Sequence, residues 1–217
     1  MLLKKLSLVL VCMISMHFAF GQDFQRGSIR MSDGKTKTGF VKVPKYSAVN
    51  EISYKETVDS KKETIDRDLI QSVSITSKSG NTYVFENRQV SLRENKISSR
   101  KALLLKIADG YASVYFAGNQ YDTDKNGDVI TEYEFIQSKD LPTFNYYIRK
   151  KGDEYVSFLA MTSTSPTMFG LNKTLKKNAA RLLFEDKELV SKITNDEYTH
   201  ENIREIMTVY NEFMEGR

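Results

Sequence analysis

Three aspartates lie in one segment, residues 122–128, whose spacing resembles that of a cation-binding loop. It reads Asp-Thr-Asp-Lys-Asn-Gly-Asp and matches the D-x-D-x-[DN]-G opening of a calcium loop, in which alternate side-chain oxygens surround a hard cation. The closing bidentate glutamate is missing, because the twelfth position is Tyr133. The segment therefore predicts an incomplete calcium site, and calcium is the one cofactor that the sequence suggests. Its predicted ligands are Asp122, Asp124, Asn126 and Asp128.

An alternative for the same segment is a polar hairpin loop in which Asn126 and Gly127 make the turn. Glu132 and Glu134 follow on a predicted strand, where alternate side chains point the same way. Paired carboxylates can act as acid and base in a hydrolase, so this pair is the candidate for carboxylate-based hydrolysis of an unknown substrate. A solvated strand face explains the two glutamates equally well.

Other groups that could carry catalysis are scarce. His17 lies in the N-terminal apolar segment, and His200 is expected to be a solvated residue in the first turn of the last helix. No serine or cysteine motif accompanies it as a nucleophile. The glycine motifs of phosphate-binding loops, dinucleotide-binding folds and serine hydrolases do not occur in the sequence. We therefore expect a protein that is not an enzyme.

The N-terminus predicts export. Lys4 and Lys5 precede a short apolar run, and small residues stand at Ala19 and Gly21, which is the pattern of a cleavable signal peptide over residues 1–21. The run is short for a membrane anchor, which needs about 20 residues. Cys12 lies in the middle of the run, without the small residue that lipidation requires before it.

Cleavage would remove the only cysteine. It would also remove two of the 32 basic residues and none of the 28 acidic ones, so the charge of the mature chain would be nearly balanced. Without cysteine there are no disulfides, and without a strongly basic face there is no electrostatic case for nucleic acid. We expect no transmembrane anchor after cleavage and a periplasmic, outer-membrane-associated or secreted location.

Alternating hydrophobicity predicts an antiparallel β region over residues 22–161. Residues 24–87 read as five short strands with glycine turns, such as Asp33-Gly34, and suggest a small barrel or a bent sheet. Residues 88–101 are polar and read as a connection, with a possible sub-boundary between domains. Residues 102–161 read as a further meander of strands rich in Tyr and Phe, which are common on half-buried sheets.

The apolar period changes from 2 to 3.6 after the polar segment 162–167, which predicts a helical C-terminal region over residues 162–217. Asp186 and Thr199 are predicted helix caps. The fold class is therefore α+β, with C-terminal helices packed on an antiparallel sheet. The first helix has a basic face that would either meet an anionic surface or simply be solvated; it comprises Lys173, Lys176, Lys177 and Arg181.

The order of these features resembles that of uncharacterised exported proteins of Bacteroidetes-type bacteria. The resemblance is carried by short motifs along most of the chain: Phe20-Gly21-Gln22, Asp33-Gly34 with Gly39, Ile52-Ser53-Tyr54-Lys55, Leu182-Leu183-Phe184-Glu185-Asp186 and Tyr210-Asn211. That family has no assigned activity, so the resemblance implies a compartment and no functional residues.

Together these features favour an exported, non-catalytic binding or structural component of the cell envelope. Its expected partner is an envelope protein or a glycan. Tyr and Phe of the sheet would be good anchors for it if they are exposed, but such side chains more often face the core. The alternatives are a calcium-binding or calcium-stabilised module built on residues 122–128, and the carboxylate-based hydrolase.

Overall fold

A computed structural model describes residues 24–93, 96–118, 120–131, 143–163 and 169–217. The predicted signal peptide, Glu132 and Glu134 lie outside these described residues. The strands are β1 (Phe24–Met31), β2 (Thr36–Lys42), β3 (Glu51–Lys55), β4 (Glu63–Asp66), β5 (Ile70–Thr76), β6 (Thr82–Arg93), β7 (Lys96–Ala108), β8 (Ala112–Gly118), β9 (Thr143–Lys150) and β10 (Val156–Ser163), and the helices are α1 (Leu171–Leu182), α2 (Lys187–Thr194) and α3 (Ile203–Glu215). This architecture confirms the predicted α+β class.

All ten strands belong to one sheet in the order β10-β9-β8-β7-β6-β5-β1-β2-β3-β4. Neighbours in this order are antiparallel, but β10 also pairs with β6 in parallel, through Val156 with Val90 and Ser157 with Ser91. Strands β6 to β10 therefore form a closed five-stranded ring. Strands β5 and β1 to β4 extend from the ring as a bent sheet that ends at β4, whose short, charged sequence protects the open edge.

The ring separates two hydrophobic cores. Adjacent residues of its strands alternate between them, as Leu104 and Leu105 do in β7. The large core, on the outer side of the ring, contains side chains from the bent sheet and from all three helices. The small core receives side chains from all five ring strands and so fills the interior; it comprises Val90, Leu104, Tyr115, Ala117, Tyr147 and Val156.

The prediction of a connection at residues 88–101 is wrong. Most of this segment belongs to β6 and β7, which pair with Arg88 opposite Ala102 and Gln89 opposite Lys101. Residues 96, 97 and 99 are exposed, so this part of β7 contributes to neither core. A strand without a buried face loses the alternation that identifies strands in a sequence.

The C-terminal helices follow the predicted pattern. Leu175 and Ala179 of α1 are buried, and this helix packs against β10. The Asp186 side chain accepts a hydrogen bond from the backbone N–H of Leu189 at 3.0 Å and caps α2, as predicted. Thr199 caps a short 3₁₀ turn, His200–Asn202, that leads directly into α3.

Candidate functional site

The 122–128 segment forms a tight polar loop closed by an antiparallel bridge between Thr123 and Val129. Asp124 Oδ1 accepts hydrogen bonds from the backbone N–H groups of Asn126 and Asp128, at 2.8 and 2.9 Å. Gly127 has a positive φ of 81°, and a Cβ there would lie 2.9 Å from the Gln25 side-chain amide. The loop therefore has the geometry of the alternative interpretation, a hairpin turn, and glycine is required in it.

The Asp128 carboxylate joins this loop to the β5–β6 turn. It accepts hydrogen bonds from Ser79 Oγ at 2.7 Å, Asn81 Nδ2 at 3.0 Å and the Tyr83 hydroxyl at 3.1 Å. Hydrogen bonds from the Ser77, Ser79 and Asn81 side chains lower the pKa of Asp128 to about 2. The Asp128 carboxylate therefore links the 122–128 loop to the β5–β6 turn.

The structure does not gather the predicted calcium ligands around one point. Asp122 Oδ1 accepts a hydrogen bond from Gln120 Nε2 at 2.6 Å, whereas the Asp128 carboxylate faces the β5–β6 turn. Within the described ranges, no three His, Cys, Asp or Glu side chains lie where they could hold one metal ion. The four calcium ligands thus remain a prediction from sequence spacing. The carboxylate oxygens of the three aspartates among them accept hydrogen bonds from protein groups.

A cleft of about 360 Å³ lies between the ends of β9 and β10 and the start of α3. Its floor includes Phe144 and Tyr146, which are only 5% and 7% exposed, and its rim is formed mainly by the 3₁₀ turn and the first residues of α3. The polar side chains on its wall are Thr131, Thr162, Ser163, His200, Glu201, Asn202, Arg204 and Glu205.

His200 is fixed in this cleft by Asn172 of α1. Asn172 Oδ1 accepts a hydrogen bond from the backbone N–H of His200 at 3.0 Å, and His200 Nδ1 lies 2.6 Å from the same oxygen. Because the backbone group can only donate, the atom of Asn172 at this position is the oxygen, and Nδ1 must also be a donor. The neutral imidazole therefore carries its proton on Nδ1 and its lone pair on Nε2.

Arg204 provides the cationic side of the cleft, and its Nη2 donates to Thr131 Oγ1 at 2.9 Å. Glu201 and Glu205 lie on the same wall, so acidic side chains outnumber the one arginine there. The cleft thus offers hydrogen-bond donors, acceptors and hydroxyl groups around an apolar floor. His200, expected as a solvated residue, is half-buried and lines this cleft.

A second polar cluster, which the sequence reasoning missed, lies on the interior side of the ring. Glu86 Oε2 accepts hydrogen bonds from Arg88 Nε at 2.7 Å and from the Tyr115 hydroxyl at 2.9 Å, and Lys106 Nζ lies 3.5 Å from Glu86 Oε1. Burial opposes ionisation of Glu86, but the Arg88 and Tyr115 donors hold its pKa below the usual value. The alternation of Glu86 and Arg88 along β6 is the only sequence signal for this cluster.

Within the described strands, the large aromatic side chains mostly face the core, which is the alternative to partner anchors. Tyr115, Phe116, Tyr146 and Tyr147 are buried, and Phe116 stacks on Phe144 with ring centroids 4.8 Å apart. The two most exposed aromatic side chains in the described residues are instead Phe169 and Phe184, next to α1.

The fold and cleft thus define an α+β protein built on a five-stranded ring with a bent sheet and three helices. No family model, curated protein or solved structure matches this chain. None of the helices in the described residues is long and apolar enough to cross a membrane.

Proposed function

We propose that this protein is exported and acts without catalysis, as a binding component of the cell envelope that holds a neutral glycan in the cleft beside His200. Export rests on the signal-peptide pattern of residues 1–21. The glycan site rests on one observation, the cleft of about 360 Å³ with an apolar floor and a mixed polar wall. This volume lies in the range of small-ligand sites, which join apolar walls to a few placed polar groups.

The chemistry of the wall favours a neutral, hydroxyl-rich ligand. Each sugar hydroxyl both donates and accepts hydrogen bonds, and the wall supplies both kinds of partner. Arg204 donates, Glu201 and Glu205 accept, and the fixed tautomer of His200 gives Nε2 as an acceptor. Because two glutamates stand beside one arginine on this wall, an anionic ligand is disfavoured, and a neutral ligand can use both the donor and the acceptors.

NMR titration of residues 22–217 tests this proposal. The neutral probes are N,N′,N″-triacetylchitotriose, maltotriose and cellotriose, with trigalacturonate as the anionic comparison. We expect at least one neutral trisaccharide to shift the backbone amide signals of residues 200–205 and Ser163, and the Arg204→Ala variant to weaken that binding about ten-fold or more, as for the loss of a charge-assisted hydrogen bond.

Arg26→Ala is the matched control, because Arg26 is exposed on β1 in the bent sheet. This variant should bind like the parent protein. The proposal fails if no neutral trisaccharide shifts the cleft amides, or if Arg204→Ala remains folded and binds with unchanged affinity. Cross-linking in the native envelope that captured a protein at residues 200–205 would instead assign the cleft to a protein partner.

A further inference from the structure

Helix α1 carries an unusual charge distribution. Residues 169–184 contain four cationic side chains and no acidic one. Lys176 pairs with Asp196 across a 2.5 Å contact, which leaves Lys173, Lys177 and Arg181 with no ion pair in the described part of the chain. Since these three are spaced four residues apart, they lie along one side of the helix.

This side of α1 faces away from the protein. Leu175 and Ala179 are buried against the core, whereas Lys173 and Lys177 are exposed and Arg181 is half-buried. The twelve-residue helix is about 18 Å long. It therefore presents a straight row of positive charge that needs no rearrangement to meet a flat surface.

An exposed phenylalanine stands at each end of this row. Phe169, just before α1, is 90% exposed, and Phe184, just after it, is 61% exposed. Lys150 Nζ lies 4.9 Å from the centre of the Phe184 ring and is itself paired with Glu185 Oε1 at 2.6 Å, so it contacts the ring without adding net charge to this end. Large apolar side chains that protrude beside cations are typical of surfaces that contact the boundary between lipid headgroups and acyl chains.

We propose that the α1 surface, defined as Phe169, Lys173, Lys177, Arg181 and Phe184, docks on an anionic lipid membrane. The cations complement the negative headgroups, and the two phenyl rings enter the interface. A membrane is favoured over a nucleic acid because two protruding phenyl rings gain nothing from a phosphate backbone. The α1 surface shares no residue with the cleft wall, so its test is independent of the glycan proposal.

The chain contains no tryptophan, so a Phe169→Trp variant gives a single fluorescent probe at one end of the α1 surface. Vesicles of phosphatidylcholine alone and of phosphatidylcholine with phosphatidylglycerol are the two membranes to compare. With residues 22–217, we expect a blue shift of the tryptophan emission on the anionic vesicles only. Added salt should reverse the shift, because it screens charges beyond about 10 Å at 0.1 M.

A charge variant gives the second readout, by vesicle co-sedimentation. Each cation near an anionic membrane contributes about a five-fold factor in binding, so Lys173→Gln, Lys177→Gln and Arg181→Gln together should lower the partition coefficient about 100-fold. The control is Lys61→Gln with Lys62→Gln, two exposed lysines before β4. This control variant should bind like the parent protein. Circular dichroism of each variant checks that it is folded.

Leu69→Trp is the control for the fluorescent probe, because Leu69 is 57% exposed between β4 and β5. Its emission should not change with either vesicle. The proposal is overturned if the Phe169→Trp probe responds equally to neutral and anionic vesicles, if the folded triple variant binds as the parent does, or if binding is seen to nucleic acid or protein but not to anionic vesicles.

Discussion

Asn211 of α3 replaces a neighbouring strand at the start of β8. Its Oδ1 accepts a hydrogen bond from the Ala112 N–H at 2.9 Å, and its Nδ2 donates to the Ala112 carbonyl at 3.1 Å. Gly110 permits this close approach, since a Cβ there would lie 2.7 Å from Asn211 Nδ2. The side chain is buried, so both backbone groups of Ala112 depend on it.

Truncation by Asn211→Ala leaves these two buried backbone groups without a partner. Each unsatisfied group costs about 1–3 kcal/mol, and entry of water at the strand end relieves part of that cost, so we expect a loss of about 2–4 kcal/mol in the free energy of unfolding. For a domain of this size, 1 kcal/mol corresponds to about 2–4 °C in midpoint. The expected fall in Tm is therefore roughly 4–16 °C.

Thermal unfolding followed by circular dichroism measures this change, and urea unfolding gives the free energy. Asn211→Leu separates hydrogen bonding from packing, because it keeps the volume and still leaves Ala112 unpaired; its Tm should fall as well. Glu212→Ala, an exposed neighbour on the same helix, should change stability by less than about 0.5 kcal/mol. A loss below about 1 kcal/mol for Asn211→Ala, or full recovery with Asn211→Leu, would refute the assigned role.

Two further predictions concern the 122–128 loop. Hydrogen bonds lower the pKa of Asp128 from 3.8 to about 2, so its ionised form stabilises the native state above about pH 4, and that stability is lost as the pH falls towards 2. In the Asp128→Asn variant, the urea unfolding midpoint should therefore depend less steeply on pH between about 4 and 2. An unchanged pH dependence would contradict this prediction. The thermal unfolding midpoint in millimolar calcium should equal that in chelator, since Asp124 and Asp128 accept hydrogen bonds from protein donors. A higher midpoint in calcium would instead support the calcium-binding alternative, because a ligand that binds only the native state must stabilise it.

The helices could be predicted from the sequence because their signals are local. Ile206, Met207 and Tyr210 recur at helical spacing and are all buried in α3, and the Asp186 cap lies directly before the first residue of α2. Each signal depends on residues within a turn or two of one another. The fold class followed from the same local periods, since a change from 2 to 3.6 separates the sheet from the helices.

Closure of the ring could not be predicted, because it depends on a long-range parallel pairing. Val156 meets Val90 across 66 positions of the sequence, and nothing in either strand marks the partner. The predicted small barrel or bent sheet is divided in the structure: the first five strands are the bent sheet, and the closed ring begins at β6. The polar sequence of residues 88–101 gave no strand pattern, so the two longest strands of the described chain, β6 and β7, were predicted too short.

The position of His200 was also beyond local reasoning. A histidine after Thr199 at a helix start is usually solvated, and only its pairing with Asn172, on another helix, fixes its ring in the cleft. The neighbouring Arg204 likewise meets Thr131, which belongs to a loop 73 positions earlier. Sites assembled from separate elements carry no spacing motif, so each residue looks like a surface residue when its own segment is considered alone.

The cleft depends on the same packing that closes the ring. Its floor comes from β9 of the ring, while His200 and Arg204 belong to the turn before α3 and to α3 itself. The α3 helix is held on the sheet by Asn211 at β8. Its Tyr210 hydroxyl donates to Glu185 Oε2 at 2.9 Å, and Glu185 in turn pairs with Lys150 of β9 at 2.6 Å. A small rotation of α3 would move the polar wall relative to the floor. The buried polar contacts of α3, costly to break, therefore preorganise the cleft for a ligand that must meet both sides at once.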